Sequence, residues 1–147
     1  MDFEKFLTNQ GPDFKGRILD EIWSYSDNEI EGIHDFIQIV FPTNKPSQAT
    51  FNKLYLDNEI LIESLKSNSA VTKNLMKSAS WYLSFLDRNN AWQKGYDHNQ
   101  LRITRAIESL RLLVSDEAAD EFFKEILRLV KDPTILNPTT MKFWEEA

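Results

Sequence analysis

Apolar residues recur along this chain at steps of three and four, the periodicity of helices that bury one face, and strand-like alternation is nearly absent. A first helix is predicted over residues 2–8, where Phe3, Phe6 and Leu7 share a face and Gly11-Pro12 follows as a stop. Residues 17–24 read as a short helical turn. Ser26 or Asp27 caps a longer helix whose Ile30, Ile33, Ile37 and Phe41 mark its core stripe, and Pro42 ends it by disfavouring helical geometry at Phe41. Residues 43–55, with Pro46 and several Ser, Thr and Asn, read as a connector across the surface.

In the second half, Asp57 is the predicted cap of a helix to about residue 67, carrying Ile60, Leu61 and Leu65. Ser69 opens a longer one, with Val71, Leu75, Ala79, Tyr82 and Leu86 in alternating steps of four and three. Residues 89–97 are polar, contain Gly95 and read as a loop. Helices follow over 101–114 and 116–131, the second capped by Ser115 with Asp116 and Glu117 in its first turn, where acids suit the helix dipole. Pro133 and Pro138 close this region, and Met141, Phe143 and Trp144 allow the tail, residues 131–147, to pack back as a short helix. The expectation is an all-α fold: one compact domain over residues 1–147, a bundle of about six to seven helices.

Composition supports a packed core, since 41% of the 147 residues are hydrophobic and ten Phe and four Trp are among them. A chain of this length buries roughly 70% of its unfolded surface. There is no cysteine, which removes disulfides, thiolate metal sites and cysteine nucleophiles and suits a reducing compartment such as the cytoplasm. The start, Met1-Asp2-Phe3-Glu4-Lys5, lacks the pattern of a signal peptide. No apolar run approaches the ~20 residues of a membrane span. A net charge of -6 argues against nucleic acid as a partner, because phosphate backbones select a basic field.

The polar chemistry concentrates in two segments, residues 31–42 and 92–105, which hold the only two histidines. If residues 27–41 form one helix, Glu31, His34, Asp35 and Gln38 share a face opposite the isoleucines. Glu31 and Asp35, four apart, would repel by a few tenths of a kcal/mol, which calls for a nearby cation. In the second segment Arg102, Arg105 and Ser109 share a face while Ile103, Ala106, Ile107 and Leu110 form the buried one. His98 and Asn99 stand near the helix start, where free N–H groups gather. Trp81, Tyr82, Trp92 and Tyr96 are candidates to line a groove, or simply core. There is no HExxH, nucleophile elbow, P-loop or dinucleotide fingerprint, so neither a metal site nor a cofactor is expected.

The order Glu31-x-x-His34-Asp35-Phe36-Ile37-Gln38, then Phe41-Pro42, then Trp92 leading to His98-Asn99-x-Leu101-Arg102-Ile103-Thr104-Arg105 with Ser109-Leu110 beyond, resembles the opioid growth factor receptor conserved domain. Gly11-Pro12-Asp13 and Gly16-Arg17 onward to Trp23 look like the segment before the first motif in its short, bacterial-type members. The resemblance runs from about residue 11 to residue 130. It implies a compact all-helical domain and little about activity: vertebrate members are described as receptors for an enkephalin-type peptide, with long C-terminal extensions, and usually carry Trp where this chain has Ile39.

Three functional readings follow. The leading one is a binding module whose ligand, a peptide or a small zwitterionic or anionic molecule, is held by Glu31, His34, Asp35, Gln38, Trp92, His98, Asn99, Arg102 and Arg105. A second is a metal- or histidine-dependent hydrolase using His34 and His98, with Asp35 as orienter. A third makes both motifs structural, the arginines neutralising Glu31 and Asp35.

Overall fold

The computed structural model describes residues 1–46 and 54–147, and the chain divides into two compact units, residues 1–78 and 79–147. The described residues are all-α, with nine α-helices, two 3-10 turns and no strand. The expected connector over residues 43–55 lies in part outside them. At its edges the Leu56 amide donates to the Thr43 carbonyl at 2.8 Å.

The first unit contains α1 (Phe3–Leu7), α2 (Leu19–Trp23), α3 (Asp27–Gly32), α4 (Ile37–Val40), α5 (Glu59–Lys66) and the first half of α6 (Ser69–Arg88). The Asp2 carboxylate accepts from the Lys5 amide and opens α1, while the amides of Gln10 and Gly11 both donate to the Lys5 carbonyl and close it. Asn9 takes the left-handed conformation that this ending requires (φ 61°), and a Cβ at Gly11 would stand 2.8 Å from the Lys5 Cβ. Asn58 caps α5, one residue later than expected. Phe6, Leu19, Ile22, Ile30, Phe36 and Ile39 are buried completely. Trp23 lies under the Lys77 ammonium, 4.2 Å from the ring centre, and donates its indole N–H to the Ser78 hydroxyl at 2.9 Å.

The helix expected over residues 27–41 is two helices, which corrects the reading of its polar face. Ser26 caps α3 in a reciprocal capping box with Glu29, but the helix ends at Gly32 and Ile33 is extended (φ -91°, ψ 126°). Glycine is a poor helix former, and beyond it a stronger competitor takes the chain. The Arg17 guanidinium binds both the Asp35 carboxylate, at 2.7 Å, and the Asp35 backbone carbonyl, at 3.2 Å. Phe36 is buried edge-on against Tyr25, ring centres 5.6 Å apart. His34 and Asp35 therefore sit in a connection between helices, not on a common helical face with Glu31 and Gln38. This split, together with the short α2, raises the helix number above the expected six to seven.

The second unit contains the second half of α6, a 3-10 turn (Asn90–Trp92), α7 (His98–Leu113), α8 (Asp116–Leu129), a 3-10 turn (Pro133–Ile135) and α9 (Pro138–Glu146). Helix α7 is its centre, packed against α8, α9 and the first turn. It starts three residues before the expected 101 because Asp97 caps it, its carboxylate accepting from the Asn99 amide. Ser115 caps α8 as expected, and the tail does pack back: Trp144 of α9 is completely buried.

Candidate functional site

In the first unit the cation that Asp35 calls for comes from the loop before α2. Asp13 organises that loop: one carboxylate oxygen accepts from the amides of Lys15 and Arg17, and the other pairs with Arg17 Nε at 2.7 Å. Arg17 thus bridges Asp13 and Asp35, and Lys15 forms a second ion pair with Asp35. Burial opposes the Arg17 charge, but the bonds to Asp35 and Asp13 outweigh it and hold the guanidinium above its usual range. Burial likewise raises the Asp35 carboxyl, and the hydrogen bonds from Lys15 and Arg17 reverse that and bring it below its ordinary value. His34 is exposed and contributes its carbonyl to the Gln38 amide at 3.3 Å, while Glu31 lies in the last turn of α3. Asp35 here is a member of a neutralised ion cluster that fastens a break in the chain.

In the second unit the expected polar residues also spend themselves on structure. Trp92 is buried and donates its indole N–H to the Leu86 carbonyl at 2.9 Å. The buried Asn99 carbonyl oxygen accepts from the Tyr82 hydroxyl at 2.6 Å and from Arg102 at 3.3 Å. His98 opens α7 with Nδ1 3.8 Å from Asp97. Burial pulls the Arg105 guanidinium below its usual range, opposed by the neighbouring Glu108 carboxylate. Of the aromatics considered for a groove, Tyr82 and Trp92 are core, whereas Tyr96 is two-thirds exposed (67%).

Ser109, on the same face as Arg102 and Arg105, is fully buried, and its hydroxyl meets no hydrogen-bond partner among the described residues. A buried hydroxyl without a partner costs about 1–3 kcal/mol, part of which the lost packing of a smaller residue takes back. Ser109→Ala is expected to raise stability by about 1 kcal/mol in urea unfolding. A loss of that size would mean that the hydroxyl is bonded in solution.

Tyr96 leads to a feature the motif pattern did not single out. A small cleft, partly open to solvent, lies beside the start of α7 and against α9. Its outer wall is apolar and unusually exposed: Tyr96, Leu101 (64%) and Phe143 (48%). Its inner wall is polar, made by Asp97, Gln100, Thr104 and Thr140. The buried Gln100 amide donates to the carbonyls of Trp92 and Lys94 at 2.9 and 2.8 Å and accepts from the Thr140 hydroxyl at 2.8 Å. The Gln100 carbonyl accepts from Thr104 and from the Trp144 indole. One residue thus ties the first turn, α7 and α9 together and gives the cleft a rigid floor.

Five of these residues fall inside the second polar segment; Tyr96 was among the aromatics considered for a groove, and for the other four the pattern pointed at neighbouring side chains. The available signal was Leu101, an apolar residue off the buried stripe of Ile103, Ala106, Ile107 and Leu110. Thr140 and Phe143 come from the tail and had no signal in the motif. No protein-family model, curated protein or solved structure matches the chain. No helix of the described residues is long and apolar enough to cross a membrane.

Proposed function

We propose that the protein is a helical binding module that receives an extended peptide segment of a partner protein, with the cleft between α7 and α9 as the seat of one anchoring side chain. The observation that carries this reading is the coincidence of three large exposed apolar side chains, Tyr96, Leu101 and Phe143, around one concavity with a hydrogen-bonded floor. Binding sites combine apolar walls with a few fixed polar groups in this way, and aromatic anchors dominate their energetics. The two ordered segments at 31–42 and 92–105 support, within the same proposal, a place near the opioid growth factor receptor conserved domain, with no opioid ligand implied.

The test is selection of a displayed random-peptide library on the purified protein, followed by affinity measurement on variants. Leu101→Asp is expected to weaken the selected peptides at least about tenfold, the effect of losing one apolar anchor and placing a charge in its seat. His34→Ala, in the other unit, is expected to leave them unchanged. Failure to select any peptide whose binding Leu101→Asp weakens would overturn the reading.

A further inference from the structure

Among the side chains lining the cleft, nearly every hydrogen-bond donor is already committed inward. The Gln100 amide N–H groups are held by the carbonyls of Trp92 and Lys94, the Thr140 hydroxyl donates to Gln100 Oε1, and the Thr104 hydroxyl donates to the Gln100 carbonyl. What these groups have left is acceptor capacity alone. Asp97 adds a carboxylate, which only accepts. One of its oxygens, Oδ1, is occupied by the Asn99 amide, and the other, Oδ2, lies 3.7 Å from the exposed Lys94 ammonium, beyond ordinary hydrogen-bond length. The phenol of Tyr96 is the remaining side-chain donor, and the rings of Tyr96 and Phe143 present electron-rich faces.

A site of acceptors, one carboxylate and aromatic faces selects a cation that brings its own donors. An apolar wall ahead of those acceptors selects a long apolar stem behind the charge. Arginine pairs best with both oxygens of a carboxylate, and here one is taken, whereas an ammonium needs only one. We infer that the anchoring side chain is a lysine, its methylene stem against Leu101 and Phe143 and its ammonium at Asp97 Oδ2, in place of Lys94. The protein's net charge of -6 works in the same direction.

This inference rests on the binding reading above, and its test separates the two. The probes are the N-acetyl, N′-methylamide derivatives of lysine, arginine, norleucine and glutamate, titrated into ¹⁵N-labelled protein and followed by the amide signals of Tyr96, Leu101, Thr104 and Phe143. Expected is a saturable shift with the lysine derivative, about fivefold tighter than with norleucine, and none with glutamate. Asp97→Asn, which retains a helix cap, should abolish the preference of lysine over norleucine while leaving norleucine binding in place. Equal binding of lysine and norleucine would overturn the cation and leave an apolar cleft as a binding site. Tighter binding of arginine would overturn the assignment to lysine. No shift of these signals with any derivative would overturn both the cation and the cleft.

Discussion

Arg17→Ala is expected to lower the stability of the first unit by about 3 kcal/mol, the loss that follows when one partner of a buried ion pair is removed and the other stays. The Asp13 side chain is fully shielded from solvent and Asp35 nearly so, and the same guanidinium serves both, the Tyr25 hydroxyl at 3.4 Å and the Asp35 carbonyl. No solvent replaces those donors at Asp13, which keeps only its two backbone amides. Arg17→Lys restores the charge but not the fork, so less than half of the loss is expected to return. The pH dependence has a definite sign. Because the folded Asp35 carboxyl is held below its ordinary 3.8, it contributes stability above that pH, and the contribution fades as pH falls through the depressed folded value. Urea unfolding at neutral pH and at about pH 3 should therefore show the gap between the native protein and Arg17→Ala narrowing in acid. A gap that is small at neutral pH, under about 1 kcal/mol, would mean that the cluster behaves as an exposed ion pair.

Gln100→Leu is expected to destabilise the second unit by a similar amount, about 3 kcal/mol, although the two side chains are close in volume. The amide is 2% exposed and makes three hydrogen bonds, so its loss strands the Thr140 hydroxyl and, nearer the surface, the Lys94 carbonyl, and leaves the Trp92 carbonyl with the Lys94 amide alone. Gln100→Glu separates shape from donation: the carboxylate can still accept from Thr140 but cannot donate to either carbonyl, and it adds a buried charge, so a larger loss than with leucine is expected. Amide hydrogen exchange locates the effect, with faster exchange over α9, which Gln100 holds through Thr140 and, by its backbone, Trp144. A leucine variant as stable as the native protein would show that water satisfies those groups.

How much of this was legible in the sequence depended on whether the deciding interaction was local. The caps Ser26 and Ser115 act on amides three residues away, and the pattern that announces them is equally short. The return of the tail was legible for a related reason, since Trp144 has no use on a solvated helix. The break between α3 and α4 was not, because it is made by Arg17 reaching across eighteen residues to Asp35. Periodicity could see isoleucines continuing in register through Gly32, and nothing in the register says that an arginine will claim the carbonyl at Asp35. The candidate site suffered in the same way. Asn99 and Arg102 stand out as polar residues in an amphipathic helix, yet both are buried, where Asn99 accepts from Tyr82 and from Arg102. The cleft is marked instead by what looks like an error in the pattern, an exposed leucine at 101. Its partner Phe143 joins it through the bonds that hold α9 alongside α7, Thr140 to the Gln100 side chain and Trp144 to the Gln100 carbonyl.

We propose that binding resides at the Tyr96, Leu101 and Phe143 cleft and not at the polar motif around His34. It is tested most directly by mapping, on the ¹⁵N-labelled protein, which backbone amides shift when a library-selected peptide is added. Shifts are expected at residues 96–104 and 140–143, with those of Glu31, His34, Asp35 and Gln38 unmoved. Shifts centred on Glu31 to Gln38, with the cleft silent, would contradict it.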